Sequence, residues 1–105
     1  MIVTFGKEYL QELYIKGKAS DKSRRFQPEV IKRYRKCIDI LRFVPRRESL
    51  YNYNSLHFET LIGDKAGLYS IRVNLQYRIE FSLEDKDGDS SVTICNIEEL
   101  SNHYK

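Results

Sequence analysis

Arg72 and Arg78 lie inside segments that alternate apolar and polar residues, and that alternation decides what chemistry they can do. Tyr69, Ile71 and Val73 alternate with Ser70, Arg72 and Asn74, and Tyr77, Ile79, Phe81 and Leu83 alternate with Arg78, Glu80 and Ser82. A period of two marks strands with one buried face. With Asn74, Leu75 and Gln76 as the connecting loop, Arg72 pairs with Arg78 and Ile71 with Ile79, and both guanidinium groups point away from the apolar face. A two-residue loop would instead set Arg72 opposite Ile79. Like charges directly opposite destabilise a sheet unless something anionic lies between or beside them. Glu80, one pair further along, would make this an ordinary surface ion pair. The sharper expectation is a phosphate clamp, because guanidinium groups match phosphate oxygens bidentately and stay charged at any working pH. An arginine pair of that kind also stabilises the extra negative charge of a phosphoryl transition state.

Other polar residues fall near this pair in the expected arrangement. Lys65 follows Gly63 and Asp64 in the loop entering the sheet, and Asn96, Glu98, His103 and Tyr104 lie on the last strand and tail. His103 could exchange a proton near neutral pH, and Tyr104 could hydrogen-bond phosphate or stack on a base. His57, beside Phe58, is expected to be packed or exposed rather than catalytic. Cys37 and Cys95 are isolated in apolar segments and only two histidines are present, so neither a disulfide framework nor a zinc site is expected. Neither GxGxxG nor GxxxxGK[ST] occurs, and no metal or cofactor is expected.

The elements that must position these residues come from the hydrophobic pattern. Ile2 to Phe5 form a short strand. Tyr9, Leu10, Leu13 and Tyr14 recur at helical spacing up to the stop at Gly17, and residues 18–27 form a polar, basic loop. Pro28 and Glu29 open a second helix, with Val30, Tyr34, Cys37, Ile38 and Leu41 on one face and an end at Pro45. Residues 46–56 read as an irregular connection. Three β-runs follow, the last two separated by the polar turn EDKDGDSS, and the tail EELSNHYK suggests a last turn of helix. The expected fold is α+β, in the order β-α-α-β-β-β, with two N-terminal helices packed on one face of a small, mainly antiparallel sheet.

Charge is spread unevenly. Residues 16–47 hold twelve Lys and Arg against three acids, whereas the remainder holds six basic and twelve acidic residues. A one-sided basic block points to an anionic partner, phosphate backbone or an acidic protein. The chain has 105 residues, 41% apolar and 31% charged, and a formal net charge of +3. Those values suit a single domain over residues 1–105 with one core. With no membrane span and no signal-peptide run, the expected location is cytoplasmic.

The stretch GDKAGLYSIRVNLQYRIEF, from Gly63 to Phe81, resembles the HigB branch of the RelE/ParE toxin superfamily. It carries that branch's Gly-Asp, Gly-aromatic-Ser-Ile-Arg and aromatic-Arg-Ile elements, and ICNIEELSNHYK is similar to the ending of a subgroup. The resemblance implies a toxin of a type II toxin–antitoxin system, a RelE-like fold, and metal-independent cleavage of messenger RNA on the ribosome. In that chemistry the RNA 2′-hydroxyl attacks the adjacent phosphate. Arg72 and Arg78 match the family's motif arginines, with His103 and Tyr104 for proton transfer and base contact, and Glu59 and Glu98 as reserve bases. Lys65, Lys32, Arg33, Arg35, Lys36 and Lys105 would rest on RNA. A HigA-type helix-turn-helix antitoxin is the implied protein partner.

The chain departs from the pattern at three places. Glu59 stands where some members have a histidine, Ile62 where many have a lysine, and Asn96, Ile97 and Glu98 where others end in Asp-Tyr-His. A ParE-like gyrase inhibitor on the same fold, or an inactive homologue that binds only its antitoxin, are the alternatives.

Overall fold

The computed structural model describes residues 1–102. Strand β1 (Ile2–Phe5) leads into helices α1 (Glu8–Lys16) and α2 (Pro28–Phe43). The remaining strands are β2 (Glu59–Thr60), β3 (Tyr69–Arg72), β4 (Tyr77–Lys86) and β5 (Asp89–Asn102), with short 3-10 turns at Arg47–Asn52, Asn54–Leu56 and Gly63–Lys65. The five strands form one sheet in the order β1-β5-β4-β3-β2. Pairing is antiparallel except for β1, which runs parallel to β5.

Both helices form where the apolar spacing places them. Tyr9, Leu10 and Leu13 are the buried face of α1, and Gly17 ends it at φ 75°, its N–H donating to the Leu13 carbonyl. Glycine reaches that left-handed conformation without a steric penalty. In α2, Pro28 occupies the first turn, where its missing N–H costs nothing, and Val30, Tyr34, Cys37, Ile38 and Leu41 are buried. The two helices are tied by the Tyr34 hydroxyl, which donates to the Leu10 carbonyl at 2.7 Å. They cover the sheet face that carries Ile71, Ile79, Phe81, Cys95, Ile97 and Leu100, all buried in one core. The residues 46–56 segment, with no strand or α-helix, makes short 3-10 turns that bury Leu50 and Leu56. Phe58 stacks on Tyr69 and Phe81, with centroids 5.8 and 6.2 Å apart, and Tyr51 meets its edge.

Two sequence expectations are corrected at the C-terminal end. The polar stretch Glu84–Ser91 is mostly strand, turning only at Asp87 and Gly88, both with positive φ. The strands there project past the core, so their polar residues stay exposed while their backbones pair. The expected last helical turn is absent through Asn102, because β5 stays paired with β4 as far as Tyr77, the first residue of that strand. A bulge lets Glu98 and Glu99 together span the register step between Phe81 and Glu80, and Ile97 and Leu100 both reach the core.

Glu99 pins the N-terminal elements to β5. It accepts from the Tyr9 hydroxyl and pairs with Lys7 at 3.0 Å and Arg24 at 3.7 Å. Partial burial pushes its carboxyl up, but the hydrogen bonds from Tyr9 and Lys7 and the charges of Lys7 and Arg24 outweigh it, leaving Glu99 below the ordinary carboxylate range. A depressed folded-state pKa contributes stability that is present above the unfolded value and lost as pH falls through the folded one. We therefore expect the urea midpoints of wild type and Glu99→Gln to differ at pH 7 and the gap to be smaller at pH 3, because it narrows once pH drops below the unfolded carboxylate value near 4.3 and closes only below the depressed folded one. A gap of equal size at both pH values would refute the pairing.

Candidate functional site

The tip of the β3–β4 hairpin sets the site's register. Asn74 Oδ1 accepts from the backbone N–H groups of Gln76 (2.9 Å) and Tyr77 (2.7 Å), and Val73 N–H donates to the Tyr77 carbonyl. The loop is thus Asn74-Leu75-Gln76, and Arg72 lies directly opposite Arg78 as the alternation predicts.

The two arginines are not equivalent. Arg78 is only 2% exposed, which corrects the expectation of an open pair. Its Nε donates to Ser70 Oγ at 2.8 Å, its Nη2 donates to the His57 carbonyl at 2.7 Å, and Glu59 Oε1 stands 3.4 Å from that Nη2. Glu80 is not the nearest counter-ion here: it is buried and paired with Lys65 Nζ at 2.7 Å. The physical reason lies in residues 57–65, which run along the free edge of β3. Strand β2 sets Glu59 opposite Ser70, on the same face as Arg78, and the following turn delivers Lys65 to Glu80. Arg72 is half-buried, and its Nε is buried with no hydrogen-bond partner among the described residues. One arginine is held rigidly by the fold, and the other keeps an unused donor.

The remaining expected site residues divide. Lys32, Arg35 and Lys36 line a cleft between α1 and α2. Arg33, about 100° round the helix from Lys32, lines a different cleft with Arg72. The basic block is therefore not one surface. Arg24 pairs with Glu99, Arg42 donates to the Tyr14 hydroxyl and Arg47 pairs with Asp85. Asn96 donates to Glu98 at 2.6 Å. His103, Tyr104 and Lys105 lie outside the described residues; Ser101 and Asn102, which precede them, pair with Arg78 and Tyr77. Sequence reasoning did not anticipate Ser70 as the acceptor of Arg78 or the His57 carbonyl as its second anchor. Ser70 was marked only by facing the same way as the arginines, and a backbone carbonyl leaves no trace in residue types.

Burial pushes both thiols, Cys37 and Cys95, up to about 12, so neither supplies a thiolate near neutral pH. Among the described residues no group of three or more His, Cys, Asp or Glu is placed to hold a metal ion.

This inequality has a stability consequence. Arg78→Ala removes hydrogen bonds from a charged donor and leaves Ser70 and the His57 carbonyl without their partner, a loss of about 2–4 kcal/mol. Arg72→Ala removes no side-chain hydrogen bond made by its Nε and should cost about 1 kcal/mol or less. Urea unfolding of the two variants tests the order; equal losses would contradict the assignment.

A family model described as the RelE-like toxin of type II toxin–antitoxin system HigB matches residues 3–92, a span that includes Arg72 and Arg78 but stops short of Glu98 and His103. No curated protein sequence matches the chain. Among solved structures, a YoeB/ParE toxin from Agrobacterium tumefaciens superposes with a TM-score of 0.57 at 14% identity, over 99% of this chain and 100% of that one. The YoeB-YefM complex from Staphylococcus aureus gives a TM-score of 0.57 at 19% identity, over 99% and 98%. At those identities the structures speak for the fold, a RelE/ParE toxin fold, and the family match over most of the chain speaks for kinship. The chain belongs to the HigB-like family of RelE-type toxins of type II toxin–antitoxin systems, whose members act as ribosome-dependent messenger RNA endonucleases.

Proposed function

We propose that this protein is itself a metal-independent endoribonuclease that cuts messenger RNA on the ribosome, in the cytoplasm, with Arg72 as the residue that meets the scissile phosphate. The observation that carries this reading is the pairing of a fixed guanidinium, Arg78, with one whose buried Nε is unpartnered among the described residues, Arg72, across one hairpin. A 2′-hydroxyl attacks phosphorus, its proton passes to a base, the P–O5′ bond breaks, and the 5′-oxygen takes a proton from an acid. The products are a 2′,3′-cyclic phosphate and a 5′-hydroxyl. Charge accumulates on the non-bridging oxygens, and a preorganised cation there lowers the barrier without reorganising.

Within this reading Arg72 binds the phosphate and Arg78 fixes the electrostatic frame behind it. Lys65, bridged to Glu80, holds positive charge at the rim of the same face. Proton transfer is assigned to His103 and Tyr104, which follow in sequence the Ser101 that pairs with Arg78. Glu59 is the reserve base, half-exposed and 3.4 Å from Arg78. The exposed Lys32, Arg35 and Lys36 of α2, with Lys105, contact ribosomal RNA, which makes binding steeply salt-dependent. The partner that restrains the toxin is a HigA-type antitoxin.

The test is growth after induced expression together with primer-extension mapping of cellular messenger RNA, for wild type and Arg72→Ala. Arg72→Ala suits this better than Arg78→Ala, which would confound stability with chemistry. We expect arrest with in-frame cuts for wild type, and cleavage reduced about 100- to 1,000-fold in the variant, the range found when one transition-state donor is removed. Arrest with intact messenger would overturn the nuclease reading in favour of a gyrase-type target. Absence of arrest would mark an inactive homologue.

A further inference from the structure

Arg72 opens onto a second feature that the hairpin and α2 build together. A cleft of ≈ 480 Å³ lies beside the hairpin tip, lined by Arg33, Ser55, Arg72, Asn74, Gln76 and the apolar Val73 and Leu75. Its polar lining is rich in donors. Asn74 Oδ1 is taken by the turn it closes, which leaves its amide Nδ2 as the free end, and Ser55 offers a hydroxyl. Among the described residues no carboxylate lines the cleft. Glu29 competes for Arg33 at 3.7 Å, with both side chains more than half exposed. An exposed helical pair of that kind is weak and readily exchanged for a better anion. Leu75, 80% exposed at the loop tip, adds an apolar wall that an anion alone would not need.

Two guanidinium groups, amide donors and a small apolar wall match one segment of a nucleic acid strand, a phosphodiester with its attached sugar or base. We propose that this cleft is a phosphate subsite for the RNA strand flanking the scissile bond, in which Arg33 of α2 acts with the guanidinium of Arg72. The inference rests on the nuclease reading and names where its substrate strand runs. The strand passes from the face carrying Arg78 and Ser70, over Arg72, to the hairpin tip. Arg72 is the shared element, so scissile and flanking phosphates are held in a fixed relation. Arg33 is a substrate-binding residue, not a catalytic one.

The decisive experiment titrates the protein with a short RNA oligonucleotide carrying a 2′-deoxy sugar at the cleavage position, and separately with inorganic phosphate. The signals followed are the arginine Nε–Hε resonances. RNA is expected to shift the Arg72 Nε–Hε signal and slow its exchange, and phosphate to move it in the same direction. Arg33→Gln should weaken oligonucleotide binding about tenfold and lower the salt slope by about 0.7, the value for one phosphate contact on a single strand. Arg33→Lys should restore part of the affinity, and Lys86→Gln, a matched charge loss at the exposed far end of β4, should change it less than twofold. On programmed ribosomes Arg33→Gln should raise KM about tenfold with kcat within twofold. An Arg72 signal unmoved by RNA, or Arg33→Gln binding like wild type, would overturn the subsite. Arg33-dependent binding without cleavage would support the subsite while removing the nuclease reading, and cleavage with an unchanged KM in Arg33→Gln would do the reverse.

Discussion

A guanidinium that is 2% exposed must be satisfied by the protein around it, and in this fold Arg78 imposes that requirement on everything at the β3 edge. Leaving such a charge without partners would cost several kcal/mol. Ser70 and the His57 carbonyl supply the acceptors and Glu59 the counter-charge. To bring them, the chain from His57 to Thr60 must cross to the sheet and pair with β3, which is why a two-residue strand exists there. The same crossing drops Phe58 onto Tyr69 and Phe81, so the polar demand on one face and the aromatic packing on the other are met by adjacent residues. His57 takes a left-handed conformation, φ 47°, just where the chain enters this run. That conformation is uncommon for a residue with a side chain.

The helices and the hairpin were legible because each buries one face at a fixed period. Val30 through Leu41 repeat as α2 buries them, and the alternation of Tyr69–Val73 with Tyr77–Leu83 specifies both register and facing. Legibility failed where periodicity was broken for a structural reason. Ile97 and Leu100 are three apart, a spacing that reads as helix. The bulge at Glu98 and Glu99 achieves the same placement within a strand. Glu84 to Ser91 read as a long turn because exposed strand ends need no apolar residues; only the Asp-Gly pair at 87 and 88 was a turn signal. Strand β2 is too short to carry any period.

At the site, the sequence yields the position of the arginine pair but not its asymmetry. Alternation says which face a residue occupies, whereas burial depends on what the rest of the chain lays over that face. Here the cover includes His57 and Glu59, some twenty positions upstream of Arg78 and joined to it only through tertiary pairing. The basic block misled in a similar way. Summed along the sequence it suggests one anionic footprint, yet helical geometry directs Lys32, Arg35 and Lys36 into one cleft and Arg33 into another. Arg24, Arg42 and Arg47 meanwhile engage neighbouring side chains.

Dividing labour between the arginines solves a problem that an equivalent pair would not. Two exposed guanidiniums facing each other across a hairpin repel, and each would spend binding energy on being ordered when the phosphate arrives. Locking Arg78 into Ser70, the His57 carbonyl and Glu59 places that ordering cost in the folding reaction. Its charge is partly balanced before any ligand comes, so the repulsion felt by Arg72 is reduced. In the proposed reading Arg72 then meets the phosphate with a guanidinium whose buried Nε is not spent on a partner among the described residues, and an ion pair formed there gains from low-dielectric surroundings. Glu59 and Glu80, two acidic residues of this face, are each already matched to a cation, Arg78 and Lys65, which weakens their opposition to an anion in the proposed reading.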